Sequence, residues 1–525
     1  MLATCPPQPA VTSYRRREPE LGDMHRIVRK HWPALKARAL VETDGQGLPD
    51  FVTKAFERYA ACGQLAHGFS RVRCGKCGDD RLLAFSCKVR GLCPSCDGKR
   101  MTELSAHLVD TVLPKVPVRQ WVFTVPFALR YLLAWNAPLR TAVLGAFLRA
   151  VEAFYKKRAR DQGVHDPRCG AVSVVQRFNS AIQLNVHWHV LFADGVWEPA
   201  AAVPGQSPLP PRFQPAYPLS THEVMAVLAD AHKRVLRQLH KRHLFEDLAV
   251  AEEDDTLRQQ DPALAACLAA SLLDRQAVGD EAGKAVARLR TGAGALPKPH
   301  GRNCSQLAGF SLHANTRVPG PARAALEKLC KYICRPAIAK HRIELLDDGQ
   351  VRVWLKSPWA DGTVAKVMSG EDFVVRMAAI IPMPRCPVLR YHGVFGPNAA
   401  LRASIVPGGA RVPKHRTGKR AVDEAEPPEP EVRRTRMLWS EALKRAFRED
   451  VMVCQCGGRR EVIATITQPE VVARILGHLG LPLTAEGFAK VPRFTWPDDL
   501  GEPPDPGWGD AADDVWRDDV PDLAA

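Results

Sequence analysis

No window of eighteen uninterrupted apolar residues occurs in this chain of 525 residues. The best candidate, residues 118–151, is broken by Arg119, Arg130, Arg140, Pro126 and Pro138, so no membrane span is expected. The opening MLATCPPQPA has neither a basic start nor an apolar core, and no secretion signal is expected there. Tyrosine is scarce, with seven residues in all. Acid is short as well: 57 Asp and Glu stand against 73 Lys and Arg, for a net charge of +16. Residues 497–525 hold ten of those acids and one arginine, which leaves the preceding chain at +25. A body this basic suits a polyanion, nucleic acid first. Fifteen cysteines are too few for a disulfide scaffold of this length. Without a secretion signal they point to a reducing compartment and to metal ligation. The expected location is therefore cytoplasmic, and the length implies two to four domains.

The chain divides by composition. Residues 1–110 comprise a helical N-terminal segment and a cysteine-rich, glycine-punctuated stretch. Residues 111–406 carry a strand near 119–127, two β-like runs at 171–178 and 182–193, a proline-rich loop at 199–218, and a helical insertion at about 220–292. Strand-like patterning resumes at 305–315. A short helix is expected over 321–335, and 342–382 reads as β-rich with ELLDDGQVRVWL as a hairpin. Residues 407–436 are a linker of proline, glycine and charge. A small C-terminal module at 437–482 and an acidic tail at 483–525 follow; the tail is a candidate shield for the basic surface.

Cys74, Cys77, Cys93 and Cys96 form C-x2-C-x15-C-x2-C. Two such knuckles make a tetrahedral tetrathiolate, so this is expected to be a structural zinc ribbon with no open coordination position. Cys87 is a spare that could replace one of these ligands, although such a residue is more often simply buried. Arg71, Arg73, Lys76, Lys88, Arg90, Lys99 and Arg100 surround the cluster and are expected to meet a nucleic-acid backbone.

Two further features carry chemistry. LNVHWHVLFADG, residues 184–195, sets His187 and His189 one residue apart, so in a strand both imidazoles project from one face and can hold a divalent ion. LEKLCKYICRP places Tyr332 beside the packed positions Leu326, Leu329 and Ile333, with Lys328 and Arg335 on the tyrosine's own stripe. Cations there suit a phosphodiester.

Zinc knuckles, a His-hydrophobic-His strand and a tyrosine on a basic helix together resemble the rolling-circle insertion-sequence transposases of the IS-ninety-one family, within the HUH endonucleases. The resemblance covers most of residues 50–482. It is carried by FSCKVRGLCPSCDGKRM, VPVRQWVFTVPFALRYLLA, VVQRFNSAIQLNVHWHVLFADGVW, GFSLHANTRVP, LCKYICRPAIA and LRYHGVFGPNAALRA. It implies an α+β fold: a central antiparallel sheet bearing the histidines, with packed helices, one of them holding the tyrosine. It also implies single-stranded DNA at element ends as the partner, catalytic Mg²⁺ or Mn²⁺ on His187 and His189, and Tyr332 as the nucleophile that forms a 5′-phosphotyrosine. A bacterial, nucleoid-associated protein is implied, with a homo-oligomer left open.

A third polar ligand is expected. If 171–178 and 182–193 pair as a hairpin, Gln176 faces His187; Gln183 by parity and the remoter His313 are alternatives. Some relatives carry a second tyrosine four residues earlier, where this chain has Lys328, so it resembles a single-tyrosine form. Relatives also show a C-x2-C knuckle near the end, whereas Cys454-x-Cys456 is one residue short, which leaves a second zinc site in doubt. Two other classes remain: a zinc-ribbon DNA-binding protein without catalysis, and a phosphodiesterase that uses water.

Overall fold

The structure is a computed structural model. It describes residues 18–482 except 201–208, 243, 245–255, 279–281, 291–301, 360, 409–436, 438 and 448–449. The expected linker, beyond its first two residues, and the acidic tail lie outside the described residues.

The architecture is mixed helix and antiparallel sheet. The strand Leu184–Ala193 carries alternating large residues and is buried along nearly its whole length, so it occupies the middle of a seven-stranded sheet. Across the sheet the order is Leu389–Gly393, Gly170–Phe178, Leu184–Ala193, Val118–Thr124, Phe310–His313 and Cys304–Leu307, with Arg317–Val318 also pairing with Val118–Thr124. Every pairing is antiparallel.

Alternation assigns the two faces. Val186, Trp188, Val190 and Phe192 point into the larger core. The helices Phe127–Trp135, Pro262–Leu273 and Gly370–Ile380 cover that face. Ala137–Asp161 packs beside them and holds Thr221–His240 in turn. Leu191 and Ala193 join the smaller core on the histidine face, together with Leu326, Leu329 and Ile333 of the helix Arg323–Ile333. Sequence alternation therefore places the histidines and the tyrosine helix on one side of the sheet.

The stretch expected as a helical insertion is only partly that. Its helices Thr221–His240, Thr256–Gln260 and Pro262–Leu273 form, and they belong to the main core. Ala287–Arg290, however, is a strand that closes a second, four-stranded sheet beside Thr363–Met368. The expected hairpin at 344–355 is present, formed by Ile343–Leu345 and Val351–Trp354. Within the stretch expected to be β-rich, Gly370–Ile380 is instead a helix. Ser369 caps it, accepting from the Asp372 N–H at 3.1 Å.

The segment expected as a C-terminal module does not stand apart. Its strand Arg460–Ile466 pairs with Phe69–Cys74, which pairs in turn with Asp80–Ala84, to make one three-stranded sheet. Strands far apart in the sequence thus share one sheet.

Candidate active site and metal centres

His187 and His189 are each 1 % exposed. Burial holds His187 at about 4 and pushes His189 well below its ordinary value, so both are neutral near pH 7. Their hydrogen bonds then define the tautomers. The Nδ1–H of His187 donates to the Asn185 carbonyl at 3.0 Å, which leaves Nε2 with a lone pair. His189 Nδ1 lies 2.6 Å from the side-chain amide of Gln120, whose Oε1 is buried and otherwise has no partner. With that amide turned so that Oε1 accepts from Nδ1–H, the orphaned oxygen is satisfied and His189 Nε2 also keeps its lone pair.

The two Nε2 atoms lie 3.2 Å apart. Two lone pairs facing one another repel unless a cation sits between them. Adjacent ligands of an octahedral ion with bonds of about 2.1 Å are separated by about 3.0 Å, close to this spacing.

Gln176 lies directly opposite His187 in the sheet register. Its Nε2 donates to the Ile333 carbonyl at 2.9 Å, tying the end of the tyrosine helix to the sheet, while its Oε1 is buried without a partner. Two imidazole nitrogens and an amide oxygen form a donor set that fits Mg²⁺ or Mn²⁺. Neither alternative third ligand is brought here. Gln183 sits in the turn and accepts from Asn179 at 2.8 Å. His313 is two strands away from the histidine strand, with Nε2 3.4 Å from the Cys304 thiol. Gln120 was not singled out in the sequence. Strand parity carries its signal, since it lies on the same face of Val118–Thr124 as the residue opposite His189. Replacing Gln120 by leucine frees the His189 ring and is expected to weaken Mn²⁺ binding about 10- to 100-fold, read by titration calorimetry.

Tyr332 is buried, and its ring stands edge-on to His189 with centroids 5.7 Å apart. The Arg335 guanidinium lies 4.8 Å from the ring centre and the Lys356 ammonium 5.1 Å. A cavity of about 140 Å³ opens beside the ring, lined by Lys328, Lys331, Arg335, His341, Arg342 and Lys356 among others. Lys328 and Arg335 were legible on the helix. Lys356 and Arg342 come from the second sheet's neighbourhood and had no local signal. Tyr391, on the edge strand, hydrogen-bonds His107 at 3.1 Å.

The buried histidines also predict a pH response. His187 and the half-buried His392, which lies near Arg390, both sit at about 4 through burial. The unfolded chain takes up protons near 6.5 and the metal-free fold does not, so stability is intact above about pH 6.5 and falls as pH drops toward 4. Urea midpoints at pH 7.5, 6 and 5 are expected to decline in that order.

The cysteines correct the expected tetrad. Cys74, Cys77, Cys93 and Cys96 do not meet at one site; they divide between two clusters. Cys93 and Cys96 join Cys62 and Cys87, with Sγ separations of 3.7 Å for Cys62–Cys93, 3.9 Å for Cys62–Cys96 and 3.5 Å for Cys87–Cys96. Cys74 and Cys77 join Cys454 and Cys456. The reason is the hairpin Phe69–Cys74/Asp80–Ala84, which carries the first knuckle at its tip, roughly 16 Å from its base where Cys62 and Cys87 lie. Thiolates at zinc bond lengths of about 2.3 Å are spaced about 3.8 Å apart in a tetrahedron, so the inner cluster fits structural zinc. Burial pushes the Cys87 thiol up, and a cation is what makes a buried thiolate there affordable.

The surrounding cations are not a uniformly free ring. Arg71 pairs with Asp80, Arg100 with Asp97 and Lys99 with Glu103. Lys76 donates to the Cys456 carbonyl at 3.1 Å. Burial lowers Arg90, and Lys88 is half-buried. Arg73 and Lys76 are exposed.

Comparison with known families matches residues 170–402 to the family described as "Putative transposase" and residues 27–125 to the "Transposase zinc-binding domain". The first match contains the histidine strand and the tyrosine helix, and the second contains the inner cysteine cluster. The chain is thus a transposase, a DNA-processing and DNA-binding enzyme. It belongs to the IS-ninety-one family. No curated protein and no solved structure matches it. Among the described residues, no helix is long and apolar enough to cross a membrane.

Proposed function

We propose that this transposase nicks and rejoins single-stranded DNA at the ends of its element through Tyr332, in the rolling-circle manner of an HUH endonuclease. The observation that carries the reading is the edge-on packing of Tyr332 against His189, 5.7 Å between centroids, at the mouth of a basic cavity. The Tyr332 oxygen attacks the scissile phosphorus, and the bond to the 3′-oxygen breaks. The phenol proton passes to that departing oxygen, directly or through solvent. A 5′-phosphotyrosine and a free 3′-hydroxyl result. The new ester retains the energy of the phosphodiester, so a 3′-hydroxyl attacking it rejoins a strand without a nucleotide cofactor.

His187, His189 and Gln176 would hold Mg²⁺ or Mn²⁺, which when bound supplies Lewis-acid stabilisation of charge on the phosphoryl oxygens. Lys328, Arg335 and Lys356 hold the flanking phosphates, and Gln176 keeps the tyrosine helix in register with the histidine strand. Lys328 takes the place of the second tyrosine of some relatives, so a second strand transfer reuses Tyr332 after release, borrows the same residue of another protomer, or does not occur.

The test is incubation with a labelled single-stranded oligonucleotide bearing an element end, with Mn²⁺ or with chelator. A covalent protein–DNA adduct formed only with the metal is expected. Binding without cleavage would assign a DNA-binding protein, and cleavage without adduct a phosphodiesterase that uses water.

A further inference from the structure

The second cysteine cluster lies partly outside the zinc-binding family match, which ends at residue 125. Cys74 Sγ is 3.6 Å from Cys456 Sγ, and Cys77 Sγ is 3.6 Å from Cys454 Sγ. These spacings sit near the tetrahedral thiolate edge of about 3.8 Å. They are far beyond a disulfide bond of about 2.05 Å.

The backbone is built for this meeting. Arg460–Ile466 pairs along Phe69–Cys74 with Cys74 opposite Arg460, so the ladder's last rung delivers residues 454–458 to the hairpin tip. A bridge between Val453 and Arg459 closes the turn that carries both C-terminal thiols. The Gly458 N–H donates to Cys456 Sγ at 3.4 Å. A Cβ on Gly458 would lie 2.7 Å from Cys74 Sγ and 2.7 Å from the Lys76 Cβ, so no side chain fits there. The buried Arg460 donates to Asp79 at 2.9 Å and to Cys454 Sγ at 3.4 Å, setting a positive charge against that sulfur. The short Cys-x-Cys spacing works because each of its thiols meets a different cysteine of the first knuckle.

We propose that Cys74, Cys77, Cys454 and Cys456 bind a second zinc-class ion, independent of the inner one, that fastens the C-terminal segment 450–482 to the N-terminal hairpin. The chain that leads into the fastened segment reaches the tyrosine helix as well. The helix Trp439–Phe447, just before it, carries Arg445, whose Nη2 donates to Glu327 at 2.9 Å on the tyrosine helix and whose guanidinium also pairs with Asp110. The outer ion therefore anchors the chain that braces the helix bearing Tyr332. This site stands whether or not Tyr332 is the nucleophile.

Native mass spectrometry and elemental analysis of the full chain, purified under reducing conditions, test it. Two zinc ions per chain are expected, and the double variant Cys454→Ser, Cys456→Ser should keep one and lose amide protection over residues 69–74 and 460–466. In the wild type, chelator should remove the outer ion first, because Cys77 is exposed while all four inner thiols are buried. One zinc in the wild type, two in the double variant, or a chain lighter by four hydrogens from paired disulfides would each overturn the proposal. If the double variant does not fold, the wild-type stoichiometry and stepwise release decide alone.

Discussion

Replacing Tyr332 by phenylalanine is expected to abolish the covalent protein–DNA adduct and to lower strand cleavage on the order of 10⁶-fold, the scale on which a covalent enzyme suffers when its nucleophile is removed. The substitution deletes one oxygen from a ring that is buried and packed edge-on to His189, so the fold and the cavity should persist. Affinity for the single strand should change little, because the cations lining the cavity remain. The comparison is therefore between unchanged DNA binding, measured by anisotropy, and a missing adduct on a denaturing gel. Cleavage that survives in the variant would move the chemistry from Tyr332 to water.

The largest effect on stability is expected at the other end of the histidine strand. Asp194, 1 % exposed, accepts from Arg119 Nε at 2.8 Å and Nη2 at 2.9 Å, from Arg317 Nε at 2.8 Å, and from the Tyr155 hydroxyl at 3.0 Å. Arg119 is itself buried, with its Nη1 donating to the Ala314 carbonyl at 2.8 Å. Asp194→Ala leaves that guanidinium without its counter-charge and is expected to cost about 3–5 kcal/mol. Urea unfolding followed by tryptophan fluorescence reads it, since Trp121 donates to Tyr155 within the same network. Pairing the change with Arg119→Met should recover much of the loss, because an apolar pair tolerates burial better than a lone charge. A loss below 1 kcal/mol in the single variant would show that water reaches the site.

What the sequence made legible was local and periodic. The i, i+2 spacing of His187 and His189 fixed a shared face, and the pairing of Gln176 with His187 followed from a hairpin between adjacent runs. The Leu326, Leu329 and Ile333 spacing located the packed side of the tyrosine helix. What escaped came from a distance or from competing signals. Two C-x2-C motifs suggested one tetrad, yet the intervening hairpin separates them and each finds partners elsewhere, Cys62 and Cys87 for one, Cys454 and Cys456 for the other. Cys62 lacked a neighbouring cysteine to mark it. The helix Gly370–Ile380 was hidden by its β-branched and apolar residues, although Ser369 followed three residues on by Asp372 marks its start. Lys356 reaches Tyr332 only through tertiary packing, which no periodicity encodes.

The outer cysteine pairs lie 382 and 377 residues apart along the chain. At ribosomal speeds of about 5–20 residues per second, the hairpin tip emerges roughly 20 to 75 s before its partners are synthesised. During that interval the nascent transposase carries two unmatched thiols and lacks the third strand of its N-terminal sheet. A product that stops upstream of Cys454 keeps that unfinished form, without the strand Arg460–Ile466 that completes the sheet.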